Sequence, residues 1–237
     1  MTISFADRIA RVTARMTSED EAAIRADAET IERAGITSVE QLVDAVSDTD
    51  QELTIRAIAC HLVALVNERS AAPALAHILA DGAEDLTWVA AKALITLHAD
   101  DVAPTMVRVL AHGPASRQSA AAYVLGWLRV ATTAPALRAA ALDPDLDADV
   151  RGHAAEALGV MAARDAVPAL ITLLSDASPE VRYWAACALG QIGDPASVPA
   201  LERMAGTDVA VIPHGLSLKE EALDALATIR ERDGERP

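Results

Sequence analysis

The sequence predicts an all-α chain built as a solenoid of stacked helical hairpins. Three observations carry that reading. First, Pro73, Pro104, Pro135, Pro168 and Pro199 recur at spacings of 31, 31, 33 and 31 residues, each followed two positions later by Leu75, Met106, Leu137, Leu170 or Leu201. Second, a column of Arg56, Thr87, Gln118, Arg151 and Arg182 is followed three positions later by an unbroken alanine column: Ala59, Ala90, Ala121, Ala154 and Ala185. Third, the chain is 52% hydrophobic yet only 3% aromatic, so its core must close through small side chains at close helix approach. A fixed period of roughly 20–50 residues with helical punctuation means repeats that each expose an apolar face until a neighbour covers it.

The elements follow in order. Residues 2–16 carry Phe5, Ile9, Val12 and Met16 at helical spacing, with Arg8, Arg11 and Arg15 on the other side. Asp7 interrupts the basic face and no cleavage-like segment follows, so residues 1–17 read as a capping helix over one end of the stack rather than a targeting peptide. Ser18 with Glu21 forms a capping box and Gly35 a stop, which predicts a helix over 19–34. Thr37 or Ser38 opens the next helix, to about Ser47. This pair, within residues 18–50, is a degenerate repeat: one period before Asp50, Arg56 and Pro73 stand Glu19, Arg25 and Leu42.

Five regular pairs occupy residues 51–206. First helices are predicted near 51–66, 84–97, 115–129, 148–162 and 179–192, second helices near 70–80, 101–111, 132–142, 165–175 and 196–205. Pro179 suits a first helical position, and the recurring prolines lie about one turn into the second helices, where few donors have partners. The spacing of 33 locates a two-residue insertion in the acidic loop 143–149. That loop lacks the Gly and terminal Glu of an EF-hand and reads as a solvated turn. After residue 206 the register stops. In the segment 207–237, Val209 to Gly215 form a connector, and Ser217 with Glu220 cap a last helix to about Arg230. Leu223, Leu226 and Ile229 seal that end, ahead of a polar tail from Glu231.

Charge and cysteine usage narrow the function. A net charge of −15 and a pI near 4.7 repel phosphate backbones, which excludes generic nucleic-acid binding and favours a basic partner. Cys60 and Cys187 fall inside helices of different repeats and read as free thiols, which suits a reducing, cytoplasmic setting. No 18-residue apolar run exists, so no membrane span is expected. Abundant Arg and scarce Lys suit a GC-rich, bacterial genome.

Val150-Arg151 with Ala154, Ala155, Ala157, Leu158 and Gly159, and Val181-Arg182 with Ala185 through Asp194, resemble HEAT repeats, in particular the short HEAT-like repeats of phycobilisome bilin lyases. The resemblance covers roughly residues 19–205. It implies a right-handed, armadillo-like superhelix of about seven helix pairs in a single domain, with second helices on the concave side. It also implies an Asp–Arg ladder between layers. The columns supply candidates six residues apart, Asp50 with Arg56, Asp145 with Arg151 and Asp176 with Arg182, and where the aspartate becomes His112 the arginine becomes Gln118.

Two exposed faces are candidates for partner binding. The second-helix face carries His77, Arg108, Arg138, Thr172 and Arg203, a relatively basic lane in an acidic chain. The first-helix face carries Trp88, Tyr123, Trp127, Tyr183 and Trp184, rings that serve either as contact anchors or as filling between first helices. Deoxyhypusine hydroxylases, related in repeat type, bind two irons through His-Glu pairs just after the arginine column. Here those positions hold Ala57-Ile58, Trp88-Val89, Ser119-Ala120, Gly152-His153 and Tyr183-Trp184. No metal spacing, phosphate loop or catalytic dyad is present in the sequence, and no cofactor is expected. HEAT-like DNA glycosylases use basic aromatic surfaces, which the acidic balance does not supply. The expected function is therefore a non-enzymatic scaffold for a partner protein or peptide, in one version a neutraliser of a basic partner. The alternative implied by the resemblance is a bilin lyase or isomerase subunit acting on a tetrapyrrole and a phycobiliprotein, with Cys187 or His153 near the chromophore.

Overall fold

The computed structural model describes residues 5–14 and 16–234. The architecture is all-α, with fourteen α-helices among the described residues and one two-residue hairpin near the C-terminus. The chain divides into two compact units, Met1–Thr105 and Met106–Pro237, where the sequence predicts one continuous domain. Stacked repeats share no central core, so nothing obliges them to cluster as a single body. The division falls between Thr87 and Gln118, the two repeats that lack arginine in the column.

The first unit opens with α1 (Phe5–Thr13), which buries Phe5 and Ile9 and packs on α2 (Ser18–Arg33). Thr2 to Ser4 and Arg15 of the expected 2–16 helix lie outside the described residues. The cap of α2 is Thr17, whose hydroxyl accepts the Asp20 amide at 3.3 Å; the Ser18 side chain lies outside the description. Helix α3 (Val39–Ser47) has Ser38 as its cap, in a reciprocal capping box with Gln41. Then follow α4 (Leu53–Leu65), α5 (Ala72–Asp81) and α6 (Thr87–Thr96). Helix α4 packs against α2, α3 and α6, so this first helix meets the second helix before it and the first helices on either side. Helix α7 (Ala103–His112) straddles the division.

The second unit continues with α8 (Ala115–Leu128), α9 (Ala134–Leu142), α10 (Ala148–Val160), α11 (Val167–Leu173), α12 (Pro179–Ile192) and α13 (Val198–Thr207). A hairpin, Val211–Ile212 with Leu216–Ser217, leads into α14 (Leu218–Gly234). Ser217 accepts the Glu220 amide at 3.3 Å, as its spacing suggests, but the helix runs past Arg230 to Gly234. Each regular second helix starts one residue before its proline, behind a 3₁₀ turn such as Arg69–Ala71 or Pro195–Ser197. The proline therefore stands at the second helical position rather than a turn inside, where its missing N–H leaves no bond unmade.

The recurring columns form the core. All five alanines of the column are fully buried, as are Val63, Leu94, Leu125, Leu158 and Leu189 of the first helices. In the second unit, first helices approach almost to backbone contact. A Cβ built on Gly126 would lie 2.6 Å from the Ala157 Cα, one on Gly159 2.6 Å from the Ala188 Cα, and one on Gly190 2.9 Å from the Ala225 Cα. The third pair joins α12 to α14 by the rule that joins α8 to α10 and α10 to α12, so α14 stacks as a further first helix.

Candidate partner-binding surface

Within each unit, side chains of the arginine column tie neighbouring layers together, whereas the buried Thr87 hydroxyl of the same column has no partner among the described residues. Arg56 donates to the Val46 carbonyl at 3.3–3.4 Å, Gln118 to the Leu110 carbonyl at 2.8 Å and Arg182 to the Asp176 carbonyl at 2.9 Å. Arg56 and Gln118 reach back to the C-terminal end of the preceding second helix, where carbonyls lack intrahelical partners, and Arg182 to the turn just beyond α11. Arg151 also reaches forward to the Asp176 carboxylate, and Arg182 to Asp208 at 2.7 and 3.3 Å. The ion pairs thus join one repeat to the next. Asp50 and Asp145 stand outside them: each donates its amide to the side chain of Asp48 or Asp143. Asp176 and Asp208 accept an amide two residues on in the same way, so Asp48, Asp143, Asp176 and Asp208 are the equivalent turn residues. Asp208, not singled out in the sequence, continues the ladder one rung beyond the apparent end of the register.

On the second-helix face, His77 of the first unit is exposed and lies 3.9 Å from Asp81. In the second unit Arg108, Thr172 and Arg203 are exposed, while half-buried Arg138 is paired with Asp165 at 3.1 Å. Arg203 borders a cleft of about 270 Å³ with Ile171, Leu174, Ala200 and Met204. Two of the five lane residues therefore face acidic neighbours, whereas Arg108 and Arg203 make no ion pair among the described residues.

The first-helix aromatics separate into three groups. Trp88, in the first unit, is 38% exposed. Tyr123 and Trp127 neighbour each other on α8, ring centroids 6.1 Å apart, with Trp127 45% exposed. Tyr183 and Trp184 on α12 meet edge to face at 5.4 Å, and the Trp184 ring covers Gly152, where a Cβ would sit 2.9 Å from it. Gly152 is accordingly buried, as is Ser119 at the equivalent position one repeat earlier.

Beside Tyr183 lies a half-buried ionisable cluster of Glu156, Cys187 and Glu221. Burial pushes the Cys187 thiol up to about 12, helped by the charges of Glu221 and Glu156. Burial likewise raises the Glu156 carboxyl, against His153, and the Glu221 carboxyl, against its hydrogen bond with Tyr183. The fully buried Cys60 thiol is pushed up to about 11, again by burial. Neither thiol is a ready nucleophile at neutral pH. Among the described residues no three His, Cys, Asp or Glu side chains converge as metal ligands, and no helix is long and apolar enough to cross a membrane.

A third feature was not legible as a site. Every regular first helix ends in a residue of left-handed conformation: Asn67 (φ 55°), His98 (49°), Arg129 (54°), Ala162 (52°) and Gly193 (70°). Only the last is glycine, the residue that suits the position. Arg129 lines a surface cleft of about 330 Å³ with Trp127, Gly159, Val160, Ala162, Gln191 and Arg232. The signal was present in sequence, as an arginine two repeats before Gly193 at the equivalent position, but only the backbone angle gives it meaning.

Residues 134–212 match the HEAT repeat family. No curated protein sequence matches the chain. Among solved structures, the chain is similar to the complex of CpcE and CpcF of phycocyanin lyase from Nostoc sp. PCC7120, with 25% identity and a TM-score of 0.55 over 81% of this chain and 77% of that one. It is also similar in fold to the designed armadillo repeat protein YIII(Dq)4CqI, with 17% identity and a TM-score of 0.53 over 81% of this chain and 100% of that one. A computationally designed armadillo repeat protein for modular peptide recognition shares 17% identity, with a TM-score of 0.51 over 81% of this chain and 99% of that one.

Proposed function

We propose that this chain, a HEAT-repeat protein by the matches above, is a non-enzymatic cytoplasmic scaffold that docks a partner protein or peptide on the exposed face of its second helices. The observation that supports it most is the division of labour between columns. The alanine and leucine columns are fully buried and nearly invariant from repeat to repeat, whereas the column of His77, Arg108, Ala139, Thr172 and Arg203 is exposed throughout and differs at almost every layer. A constant frame that presents a varied surface suits recognition by shape and charge. The net charge of −15 attracts a basic partner at long range and repels nucleic-acid phosphates, while Arg108 and Arg203 supply local contacts to carboxylates or carbonyls. Affinity capture from the native host with mass spectrometry tests the reading. The expected result is one polypeptide partner held in a salt-sensitive complex; an affinity unchanged between low and high salt removes the basic-partner version.

A second reading rests on the likeness to the phycocyanin lyase complex: a lyase subunit acting on a tetrapyrrole. Cys187 and His153 are both half-buried, and His153 is hydrogen-bonded to the Asp149 carbonyl at 2.8 Å. A new visible absorption band on adding bilin to the purified protein supports this reading, and an unchanged bilin spectrum removes it.

A further inference from the structure

We propose that the cleft between Trp127, Arg129, Gln191 and Arg232 is a docking point for a carboxylate-bearing peptide segment of the partner. This deepens the scaffold reading and rests on it for the partner's being a polypeptide. The cleft lies where α8, α10 and α12 end, beside the last turns of α14. It is lined by two arginines and by no carboxylate, in a chain with 35 acidic and 20 basic residues. Arg129 makes no ion pair or side-chain hydrogen bond among the described residues. Arg232 places one guanidinium nitrogen on the Gln191 carbonyl at 2.7 Å, which fixes its head at the cleft and leaves its other donors without a partner among the described residues.

Two guanidinium groups beside one small cleft suit a carboxylate, which can accept from both. Trp127, 45% exposed beside them, offers a flat apolar surface to the residue next to the acid. Gly159, Val160 and Ala162 add small side chains that leave the space open. Arg129 holds its left-handed conformation although the equivalent turn at Gly193 shows that glycine fits there.

The test uses the full chain and a defined probe, an acetylated and amidated hexapeptide Gly-Leu-Glu-Glu-Leu-Gly, beside its Gln-Gln counterpart and inorganic phosphate. The three indole N–H signals are followed by NMR, with Trp127→Phe identifying one of them. The proposal expects the Glu peptide to shift the Trp127 signal and leave Trp88 and Trp184 in place. The Gln peptide binds about tenfold or more weakly, as loss of a charge-assisted bond implies. Arg129→Gly and Arg232→Gln each weaken the Glu peptide by a similar factor. Arg129→Gly relieves the backbone, so a melting point no lower than that of the parent shows that its effect is not unfolding. Equal shifts with both peptides, no shift with either, a response to phosphate without one to the Glu peptide, or binding that survives both substitutions overturns the proposal. A captured natural partner whose affinity ignores both substitutions defeats the cleft and spares the scaffold, whereas Glu-peptide binding without any captured partner does the reverse.

Discussion

Arg182 grips Asp208 with two nitrogens, at 2.7 and 3.3 Å, across the step from one repeat to the next. Both side chains are mostly buried, 17% and 15% exposed, so the pair is poorly screened by solvent. The guanidinium also bonds the Asp176 and Ala177 carbonyls, which ties three chain segments to one side chain. Asp208→Asn should therefore cost about 2 kcal/mol, the scale of a hydrogen bond to a charged group. For a chain of this size that lowers the thermal midpoint by roughly 4–8 °C. Calorimetry checks it, and Asp50→Asn, which touches no arginine, is the matched control.

Close approach of the first helices gives a second prediction. Gly159→Ala puts a methyl group 2.6 Å from the Ala188 Cα, and backbone cannot move aside as a flexible side chain would. The substitution should cost about 1–3 kcal/mol through overpacking. Gly206→Ala, with nothing within 4 Å of the new Cβ, should be near neutral. Urea denaturation of both variants compares them directly.

The left-handed column yields a stabilising change. Ala162 holds φ at 52°, a conformation that costs a residue with a Cβ about 1–2 kcal/mol. Part of that gain is lost to the greater freedom of glycine in the unfolded chain. Ala162→Gly should therefore raise stability by about 0.5–1 kcal/mol, seen as a higher urea midpoint at unchanged slope.

The half-buried acids set a pH dependence. Glu221 faces Tyr183 and Cys187 of α12 and Asp224 of its own helix, and burial holds its carboxyl above the usual value of 4.5. Its contribution is fully present below that value and is lost as pH rises through the raised folded pKa. Glu156 acts in the same direction. Asp208 acts oppositely: Arg182 holds its carboxyl below the usual 3.8, so its contribution is present above that value and is lost as pH falls. Glu221→Gln should keep a partner for the Tyr183 hydroxyl, raise stability at pH 7 and flatten the decline above about pH 4.5. Melting curves from pH 3 to pH 8 read both limbs.

The frame was legible in sequence because burial there is periodic. Ala121 and Leu158 occupy columns that the repeat spacing aligns without knowledge of any loop. The rungs were less so. Arg151 and Arg182 pair forward, with Asp176 and Asp208, because the turn after the second helix brings the next aspartate closer than the preceding one. Turn length also shifts the register, since Asp176 stands six residues before Arg182 but Asp143 eight before Arg151. Trp184 shows a different limit. Its ring fills the space above Gly152, and which neighbour a bulky side chain covers depends on the rotation of two helices that spacing does not define. Arg129 reads as an ordinary surface cation until its positive φ and the cleft beside it are seen together.

On the proposed scaffold function, varied second-helix residues carried on an invariant buried frame hold a polypeptide without altering it. The most direct measurement places a photoreactive p-benzoylphenylalanine at Thr172 or Arg203, and for comparison at His61 or Lys92 on the first helices, and irradiates the protein in its native host. Covalent adducts of one polypeptide are expected from positions 172 and 203 and none from 61 and 92, with the untethered partner unchanged in mass. Adducts from the first-helix positions alone, or a partner recovered with a new covalent group, would contradict it.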